Sequence, residues 1–311
     1  MRILVTGANG FVGSRLVKVL SKDHDVIAFC RSKPNLPAKF VQGDLLDPAS
    51  VDALRKVTFD AVYHLAANTN ESDPLMWDVN VEGTRALLEA CKNKKIERFI
   101  LMSSSGVLGE TKTPAKEDDP YNPQTHYEKS KTEAERLVMD YRLKHQIPYT
   151  ILRAPVILGP NNYWKQIFKA AKSNYPMIGK GDNFFHVVYI DDVIQALKLA
   201  LEPIARNQIY HIAGPDPHTY RETYEMITKA LDAEMTERTL PVFAVKAAAL
   251  AHEVQSKAMG KRPHVTLMRS SIDRLIRNRI IDTSKAQEQL GYNPKYDLEK
   301  ALKKTVKELE G

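Results

Sequence analysis

A strand-like segment, three glycines and a helical pattern follow one another at the start of the chain. Ile3-Leu4-Val5-Thr6 is too short for a helix and ends at Gly7, and two more glycines follow at Gly10 and Gly13. Apolar residues then recur at helical spacing, at Phe11, Val12, Leu16, Val17 and Leu20. Glycines permit positive φ and close backbone approach, and a helix N-terminus favours an anion. A strand, a glycine turn and a helix in this order predict a phosphate-binding unit; glycines without this context predict only a tight turn.

The alternation of strand and helix continues through the first half of the chain. Further strand-like segments are Val26–Phe29, Phe40–Val41, Ala61–Leu65, Phe99–Met102 and Tyr149–Leu152. The predicted helices between them cover Pro48–Lys56, Val79–Lys92 and Gln124–His145. This alternation predicts an α/β fold with a doubly wound parallel sheet. Ligands of such a sheet bind at the carboxyl ends of its strands, where we expect the glycine turn, Arg31, Asp44, Ala66 and Ser104 to meet.

The regular pattern ends near Gly159-Pro160, and a less regular, mostly helical region follows. His186–Ile190 resembles a strand that leads into a helix, and Ile209–Ile212 resembles one more strand of the sheet. Predicted helices cover Tyr220–Leu231, Val242–Met259, Ser284–Leu290 and Leu298–Leu309. We therefore predict a ligand-binding domain over 1–158, to which 188–213 return, and a substrate lobe with a lid over 159–311. The helix Val242–Met259 fits a membrane-surface helix as well as a lid, and the lid is the favoured interpretation.

Composition excludes several classes of protein. The 311 residues are 43% hydrophobic and 27% charged, which is typical of a globular protein and not of a disordered one. No segment has the ~20 apolar residues of a membrane span, and no cleavable signal precedes the glycines. Cys30 and Cys91 do not form a disulfide framework, and no Cys/His spacing suggests a metal site, so we expect a cytoplasmic protein. The net charge of +7 consists mostly of scattered lysines without a nucleic-acid recognition motif, and nucleic-acid binding is therefore disfavoured.

Tyr127-Glu128-Lys129-Ser130-Lys131 lies on a predicted helix, which places Tyr127 and Lys131 on one face. A tyrosine has a pKa near ~10 and is a poor base at neutral pH, but an adjacent ammonium stabilises the phenolate. Ser104, at the end of the fifth strand, is placed to hydrogen-bond a substrate hydroxyl or carbonyl. Tyr127 would then exchange that proton while hydride moves to or from a nicotinamide. The alternative is a solvent-facing Tyr and Lys on an ordinary helix, which the preceding glycine turn and serine disfavour.

Motifs along nearly the whole chain carry a family resemblance. They are Thr6-Gly7-Ala8-Asn9-Gly10-Phe11-Val12-Gly13, Gly43-Asp44-Leu45, His64-Leu65-Ala66-Ala67, Asn80-Val81-Glu82-Gly83-Thr84, Ser103-Ser104 with Val107 and Gly109, Tyr127 with Lys131, Arg153 to Pro160, Tyr189-Ile190-Asp191-Asp192-Val193, Asp282-Thr283-Ser284-Lys285-Ala286 and Leu290-Gly291-Tyr292. With them the chain resembles an extended short-chain dehydrogenase/reductase of the NAD(P)-dependent epimerase/dehydratase family, in its 3β-hydroxysteroid dehydrogenase and dihydroflavonol reductase-like branch.

The resemblance implies a Rossmann-type sheet with Ser104, Tyr127 and Lys131 as the catalytic triad. It also implies a homodimer through the helices Val79–Lys92 and Gln124–His145. The glycine turn and the triad contribute to the cofactor site, together with residues at other strand ends. The implied cofactor-binding residues are Gly7, Asn9, Gly10, Phe11, Val12, Gly13, Arg31, Asp44, Leu45, Leu65, Ala66, Ala67, Ser103, Tyr127, Lys131, Pro155 and Val156.

The end of the second strand bears on the choice of cofactor. NAD-preferring relatives carry an acid there that binds the ribose hydroxyls, and this chain has Cys30 followed by Arg31, Ser32 and Lys33. Cations in place of a carboxylate suit a 2′-phosphate, so NADP(H) is preferred and NAD(H) is the alternative. Arg31 stacked on adenine without a 2′-phosphate is the other interpretation.

Departures from the family pattern bear on the reaction. Dehydratases carry Thr-Asp/Glu after the catalytic serine, and this chain has Ser105-Gly106, so dehydration is disfavoured. Val156, Leu158 and Phe185 occupy places where sugar-nucleotide epimerases carry polar groups that bind the substrate. A diphosphate bound there would lose charged hydrogen bonds worth ~1.5–3 kcal/mol each. An apolar substrate would instead gain binding free energy from the burial of its apolar surface.

The sequence therefore predicts an NADP(H)-dependent oxidoreductase that interconverts an alcohol and a carbonyl on a small, largely apolar substrate. An NAD-dependent sugar-nucleotide epimerase is the first alternative. A non-catalytic, cofactor-sensing protein is the second, and the intact Tyr127/Lys131 pair disfavours it.

Overall fold

The computed structural model describes residues 1–263 and 268–310; residues 264–267, inside the predicted substrate lobe, and Gly311 lie outside the described residues. The strands found there are β1 (Arg2–Thr6), β2 (Asp25–Cys30), β3 (Lys39–Gln42), β4 (Ala61–His64), β5 (Arg98–Ser104), β6 (Tyr149–Ala154), β7 (Val156–Leu158), β8 (Met177–Ile178), β9 (Phe184–Phe185), β10 (Val187–Tyr189), β11 (Gln208–His211), β12 (His218–Thr219) and β13 (Thr239–Leu240). The α-helices are α1 (Phe11–Leu20), α2 (Pro48–Lys56), α3 (Met76–Asn80), α4 (Glu82–Cys91), α5 (His126–His145), α6 (Asn162–Lys172), α7 (Ile190–Leu199), α8 (Tyr220–Ala230), α9 (Val242–Ala258), α10 (Arg269–Ile276), α11 (Ser284–Leu290) and α12 (Leu298–Glu310).

The central sheet of the described chain has seven strands in the order β11-β6-β5-β4-β1-β2-β3, and its pairings are parallel. The chain builds β2 and β3 on one side of β1 and then continues with β4 on the other side. The strand order therefore reverses between β1 and β4, where an open parallel sheet leaves a crevice at the carboxyl ends of its strands. The predicted α/β fold with a doubly wound, Rossmann-type sheet is confirmed.

Both faces of this sheet are covered by helices, because its strands are apolar on both sides. Ile3 and Val5 of β1 pack in one core with α1, α7 and α11, whereas Leu4, between them, packs in a second core with α2, α4 and α5. Successive side chains of a strand point to opposite faces, so a single apolar strand supplies both cores.

The C-terminal lobe has a core of its own around Trp164, Phe168, Tyr224 and Leu302. β10 does not join the central sheet; it pairs in parallel with β7 in a separate two-stranded ladder. β11 pairs with β6 at the edge of the central sheet, so the chain returns to that sheet after passing through part of the lobe.

Several helices differ from the sequence predictions. The predicted helix Val79–Lys92 is two helices, α3 and α4, which meet at Val81. α6 and α10 are additional helices that the sequence analysis did not identify. α9 has nearly the predicted bounds, but along its length, all of it described, only Ala249 and Ser256 are buried. One face of α9 is buried or half-buried, at Val242, Val245, Lys246, Ala249, His252, Glu253 and Ser256, and its role as a lid stays a prediction.

A search of the described residues finds no helix that combines the length and the hydropathy needed to cross a bilayer.

Candidate functional site

The glycine turn between β1 and α1 is closely packed against the backbone that follows β4. Gly7 has φ +68°, and a Cβ built there would lie 2.7 Å from the amide nitrogen of Ala66. A Cβ on Gly13 would overlap the carbonyl oxygen of Gly7. Gly10 donates its N–H to that same oxygen (2.8 Å) and precedes α1, whose first turn no side chain caps. The turn thus leaves a helix N-terminus open to an anion and fits a pyrophosphate.

Phe11 and Val12, both predicted to bind cofactor, are half-buried where the two lobes meet. The Phe11 ring lies against Gly159, where a Cβ would come within 2.7 Å of it. Val12 packs against the cores of both lobes. A cleft of about 850 Å³ borders Asn9, Gly10 and Phe11 on one side and Pro160 and Asn161 on the other.

A chain of hydrogen bonds fixes the end of β4 beside the glycine turn. The Ala66 amide donates to Thr6 Oγ1 (3.3 Å), and Thr6 Oγ1 lies 2.8 Å from Nδ1 of His64. Nε2 of His64 lies 2.9 Å from Thr84 Oγ1, which donates to the carbonyl oxygen of Asn80 (2.6 Å). Thr84 uses its proton on Asn80, so His64 donates from Nε2 and accepts at Nδ1. Burial, reinforced by the charge of Lys131, lowers the pKa of His64 to about 3, which keeps the ring neutral.

Asn80 extends this network to α5. Its side chain accepts from the Asn68 amide (2.8 Å) and donates to the Asn68 carbonyl (2.9 Å) and to Ser130 Oγ (2.9 Å). Asn80 is 1% exposed. The loop after Leu65, Ala66 and Ala67, which were predicted to line the cofactor, is therefore tied to the helix that carries Tyr127.

The end of β2 presents the residues that bear on cofactor choice. The Asn9 side chain donates to the carbonyl oxygen of Ser32 (2.8 Å), and the Gln42 side chain donates to that of Arg31 (3.2 Å). Arg31 itself is exposed. These bonds hold the backbone after Cys30 against the glycine turn, which places the Arg31 side chain at the adenosine end of the predicted site.

Asp44 and Leu45 lie at the next strand end. The Asp44 carboxylate accepts from the Leu46 amide (3.0 Å), while Leu45 is buried in the core and faces Gly83. The side chain of Leu45 is thus a packing group, and contact with an adenine would use the backbone of this turn.

The predicted catalytic residues come from β5 and α5. Ser104 is the last residue of β5, and its Oγ accepts from the Gly106 amide (3.1 Å), so its own O–H is the group that can reach a substrate. Lys131 is buried and donates from Nζ to the carbonyl oxygen of Met102 (2.8 Å). Tyr127, one helical turn before Lys131, is half-buried. The structure thus joins Lys131 to the strand that ends in Ser104 and places Tyr127 on the same face of α5.

The electrostatics of this group differ from the sequence expectation. We expected the Lys131 ammonium to lower the pKa of Tyr127; burial instead raises the pKa of Tyr127 to about 12, with the charge of Arg274 as the main opposing effect. Burial also lowers the pKa of Lys131 to about 8, against the charge of Glu135. The reason is that the interior of the site is dry enough to disfavour both charged forms.

Glu135, one helical turn after Lys131, anchors a buried network. It accepts from the Ser103 hydroxyl, from the Tyr121 hydroxyl (2.8 Å) and from Nη2 of Arg153 (2.8 Å). Arg153 and Glu135 are 1% and 0% exposed. The Ser103 hydroxyl is thus engaged in holding β5 and β6 against α5, and its predicted contact with the cofactor stays a prediction.

Three arginines of the C-terminal lobe that the sequence analysis did not single out approach this centre. Arg274 of α10 lowers the pKa of Tyr127 and pairs loosely with Glu71 (3.8 Å). Arg277 pairs with Asp273, and Arg279 forms an ion pair with Glu128, the residue after Tyr127. Among the described residues, Nη1 of Arg277 and Nε of Arg279 are buried without a hydrogen-bond partner. The signal available in the sequence was the local run of basic residues that ends at Arg279.

The apolar residues that suggested an apolar substrate differ in how deeply they are buried. Leu158 is fully buried in the core of the C-terminal lobe, so it does not line a pocket. Val156 and Phe185 are half-buried and pack against the same core, and Pro155, between β6 and β7, is half-buried as well. Leu158 therefore carries no information about the substrate.

Comparisons with known proteins agree with this geometry. Residues 3–213 match the model of the NAD dependent epimerase/dehydratase family. The N-acetyl-alpha-D-glucosaminyl-diphospho-ditrans,octacis-undecaprenol 4-epimerase of Escherichia coli O157:H7 is 26% identical over 98% of this chain and 94% of its own. A 3beta-hydroxysteroid-dehydrogenase/decarboxylase of Arabidopsis thaliana is 25% identical over 97% of this chain and 78% of its own.

Among solved structures, the UDP-glucuronic acid 4-epimerase from Bacillus cereus in complex with NAD is similar over 100% of this chain and 99% of its own, with a TM-score of 0.78 and 25% identity. The glycine turn, the strand order and the Ser104, Tyr127 and Lys131 positions occur in one chain with a family match over more than half its length. This protein therefore belongs to the NAD-dependent epimerase/dehydratase family.

Proposed function

We propose that the protein is an NAD-dependent epimerase that inverts C4 of a sugar carried on a diphosphate. The observation that carries this proposal is a group of three arginines at the centre: Arg274 acts on Tyr127, Arg279 pairs with Glu128 beside it, and Arg277 lies close to Arg279. Guanidinium groups suit phosphate oxygens because their N–H donors form paired, charge-assisted hydrogen bonds. The acids beside these arginines occupy only part of their donors, and two of the remaining nitrogens are buried without a partner among the described residues. An anionic ligand satisfies such donors, and an apolar ligand does not.

Each residue of the centre has a role in this reaction. Ser104 donates a hydrogen bond to O4 of the sugar, and the Tyr127 oxygen takes the O4 proton as C4 is oxidised and returns it after the ring turns over. The neighbouring Arg274 favours the phenolate form of Tyr127, against the effect of burial. The glycine turn would hold NAD, which would supply the hydride acceptor and donor.

Two other reactions, dehydration and simple oxidation or reduction, fit the residues of this chain less well. Dehydration needs an acid and a base next to the catalytic serine, and Ser105-Gly106 stand there. Our first expectation from the sequence was the simple oxidation or reduction of an apolar molecule. Such a substrate has no anionic group for the three arginines to bind. The relatives whose names contain 4-epimerase, from Escherichia coli O157:H7 and Bacillus cereus, have substrates that share a sugar on a diphosphate, which is the class proposed here.

NAD is the cofactor that we propose, because the Bacillus cereus structure contains NAD. The preference for NADP(H) inferred from Arg31 stays a prediction, and the homodimer does as well. Fluorescence titration of wild type and Arg31→Ala with NAD and with NADP tests the preference for NADP(H). A 2′-phosphate held by Arg31 predicts that the substitution weakens NADP binding and leaves NAD binding unchanged.

The test of the reaction uses UDP-glucose, UDP-N-acetylglucosamine and N-acetylglucosaminyl diphospho-undecaprenol in detergent, each with NAD. Chromatography against the authentic 4-epimer identifies the product, and absorbance follows NADH. We expect one of these substrates to yield its 4-epimer without net NADH formation. Net reduction of NAD, a 4-keto-6-deoxy product, or no product from any of the three contradicts the proposal.

Two variants connect the reaction with the site. Tyr127→Phe should lower turnover by roughly 10²–10⁴-fold, because it removes the proton carrier, while NAD still binds. Arg274→Gln should raise KM by roughly tenfold to a hundredfold through loss of a charged hydrogen bond. Arg269→Gln is the matched control, since Arg269 lies in the same helix and pairs with Glu253 instead. Equal KM values for the Arg274 and Arg269 variants would contradict the role of Arg274.

A further inference from the structure

The outer face of α9 is apolar although it is exposed. Phe243, Leu250 and Val254 lie seven and four residues apart, which places them on one side of the helix. Their exposed fractions are 78%, 43% and 60%. Five alanines of α9 are exposed as well, and Met259, directly after the helix, is 57% exposed. Contiguous exposed apolar surface of this kind marks an interaction site.

The exposed charged residues of α9 and of the four residues that follow it are cations. Within α9, which the structure describes throughout, Glu253 is the acidic residue, and it lies off the exposed face and pairs with Arg269 (3.0 Å). Lys257 is exposed on the apolar side, and Lys261 and Arg262 are exposed just beyond the end of the helix. Arg262 pairs with Asp73 at 3.5 Å while its side chain stays 62% exposed. An apolar helix face flanked by cations complements an anionic lipid surface.

We infer that the exposed face of α9 docks the protein onto anionic phospholipid bilayers. Phe243, Leu250 and Val254 enter the boundary between headgroups and acyl chains, and Lys257 and Lys261 contact lipid phosphates. A second copy of this chain fits the face less well, because it brings the same cations and no carboxylate on the exposed side to balance them. This inference goes beyond the proposed reaction and stands without it.

The docking helix is joined to the helix that carries Arg274. α9 is joined to α10 by the ion pairs of Lys246 with Asp273 (2.6 Å) and of Arg269 with Glu253. The residue after Asp273 is Arg274, which acts on Tyr127. α10 therefore connects the docking helix with the catalytic centre.

Co-sedimentation with vesicles tests the inference without substrate. The vesicles contain either phosphatidylcholine alone or equal parts of phosphatidylcholine and phosphatidylglycerol, at low and at high salt. We expect binding to the anionic vesicles that decreases with salt and is weaker on phosphatidylcholine alone. Phe243→Glu and Leu250→Glu should each reduce the bound fraction at least about tenfold, because each places a carboxylate in the docking face.

Leu143→Glu is the matched control, since Leu143 on α5 is 83% exposed and far along the chain from α9. It should bind vesicles like wild type, and circular dichroism checks that all variants fold. No binding to anionic vesicles overturns the inference, as does equal loss in Leu143→Glu. Light scattering can detect self-association of the protein. If the protein self-associates, does not bind vesicles, and loses the self-association in Phe243→Glu, the inference is overturned and the face is assigned to a second copy.

Discussion

Lys131, a proposed catalytic residue, illustrates at the residue scale how a buried charge lowers stability. Its ammonium is buried and donates to the Met102 carbonyl, and burial lowers its pKa from 10.5 to about 8. Below pH ~8 the folded protein holds a desolvated charge that the unfolded chain would solvate. This difference lowers the free energy of unfolding by roughly 3 kcal/mol. Between pH ~8 and ~10.5 the unfolded state binds more protons, so stability from this group rises with pH.

Lys131→Met should therefore remove this pH dependence and abolish most turnover. The free energy of unfolding of wild type relative to the variant should increase by roughly 3 kcal/mol between pH ~7 and ~10.5. Urea unfolding at several pH values measures this difference, and the exposed Lys129→Met on the same helix is the control. Parallel pH profiles for wild type and Lys131→Met would contradict the buried charge.

At the scale of elements, the start of α5 depends on a contact from the C-terminal lobe. Thr125 and Glu128 form a capping box, in which Glu128 accepts from the Gln124 and Thr125 amides (2.8 and 2.9 Å). Its other oxygen accepts from Arg279. Glu128 is 1% exposed, so this carboxylate has little solvent to replace a lost partner. The helix that carries Tyr127 is thus held by local capping and by one distant cation.

Arg279→Met should cost about 3–5 kcal/mol of stability, because it leaves a buried carboxylate without its cation. Glu128→Gln preserves the capping box, since glutamine also serves at that position. The double variant should therefore be less destabilised than the sum of the two single changes. A double-mutant cycle in urea measures this, and additive effects would show that the ion pair is not coupled.

At the scale of the whole molecule, part of the C-terminal lobe packs into a core of the central sheet, in addition to the core that the lobe has of its own. The core that contains Leu16 and Tyr63 also contains Ala286, Leu290 and Tyr292 from late in the chain. The Tyr292 hydroxyl donates to the Ala213 carbonyl (2.8 Å), which ties α11 to the segment after β11. Lobes that share a buried core are expected to unfold together.

The two tryptophans provide one probe for each lobe. Trp77 of α3 stacks on His126 of α5, with ring centroids 5.2 Å apart, and Trp164 is buried in the C-terminal core. Trp164→Phe leaves the N-terminal probe, and Trp77→Phe leaves the C-terminal one. After correction for the small stability change of each substitution, both signals should report the same urea midpoint as far-UV circular dichroism. Separate midpoints would show that the lobes unfold independently.

The sequence determined those features that arise within a short segment. The glycine turn, the strand–helix alternation and the Tyr127/Lys131 spacing are local patterns, and residues up to 213 match one family. The helix starts capped by Asp47, Thr125 and Thr219 were found within one or two residues, whereas α6, capped by Asn161, was not identified. The prediction of one continuous helix over Val79–Lys92 was wrong, because apolar periodicity does not detect the break at Val81 between α3 and α4.

Only the tertiary structure decided which distant charges meet at the centre. Arg274 and Arg279 are nearly half the chain away from Tyr127, and local spacing carries no information about that separation. The sign of the Tyr127 shift also required the fold, because burial, which raises its pKa, depends on everything packed around the site. The sequence places Leu158 among the substrate positions, whereas the fold buries it in the core of the C-terminal lobe. Burial and long-range electrostatics depend on contributions from the whole folded chain, so the sequence alone does not give them. The glycine turn depends only on residues next to it in the sequence, so the sequence alone predicts it.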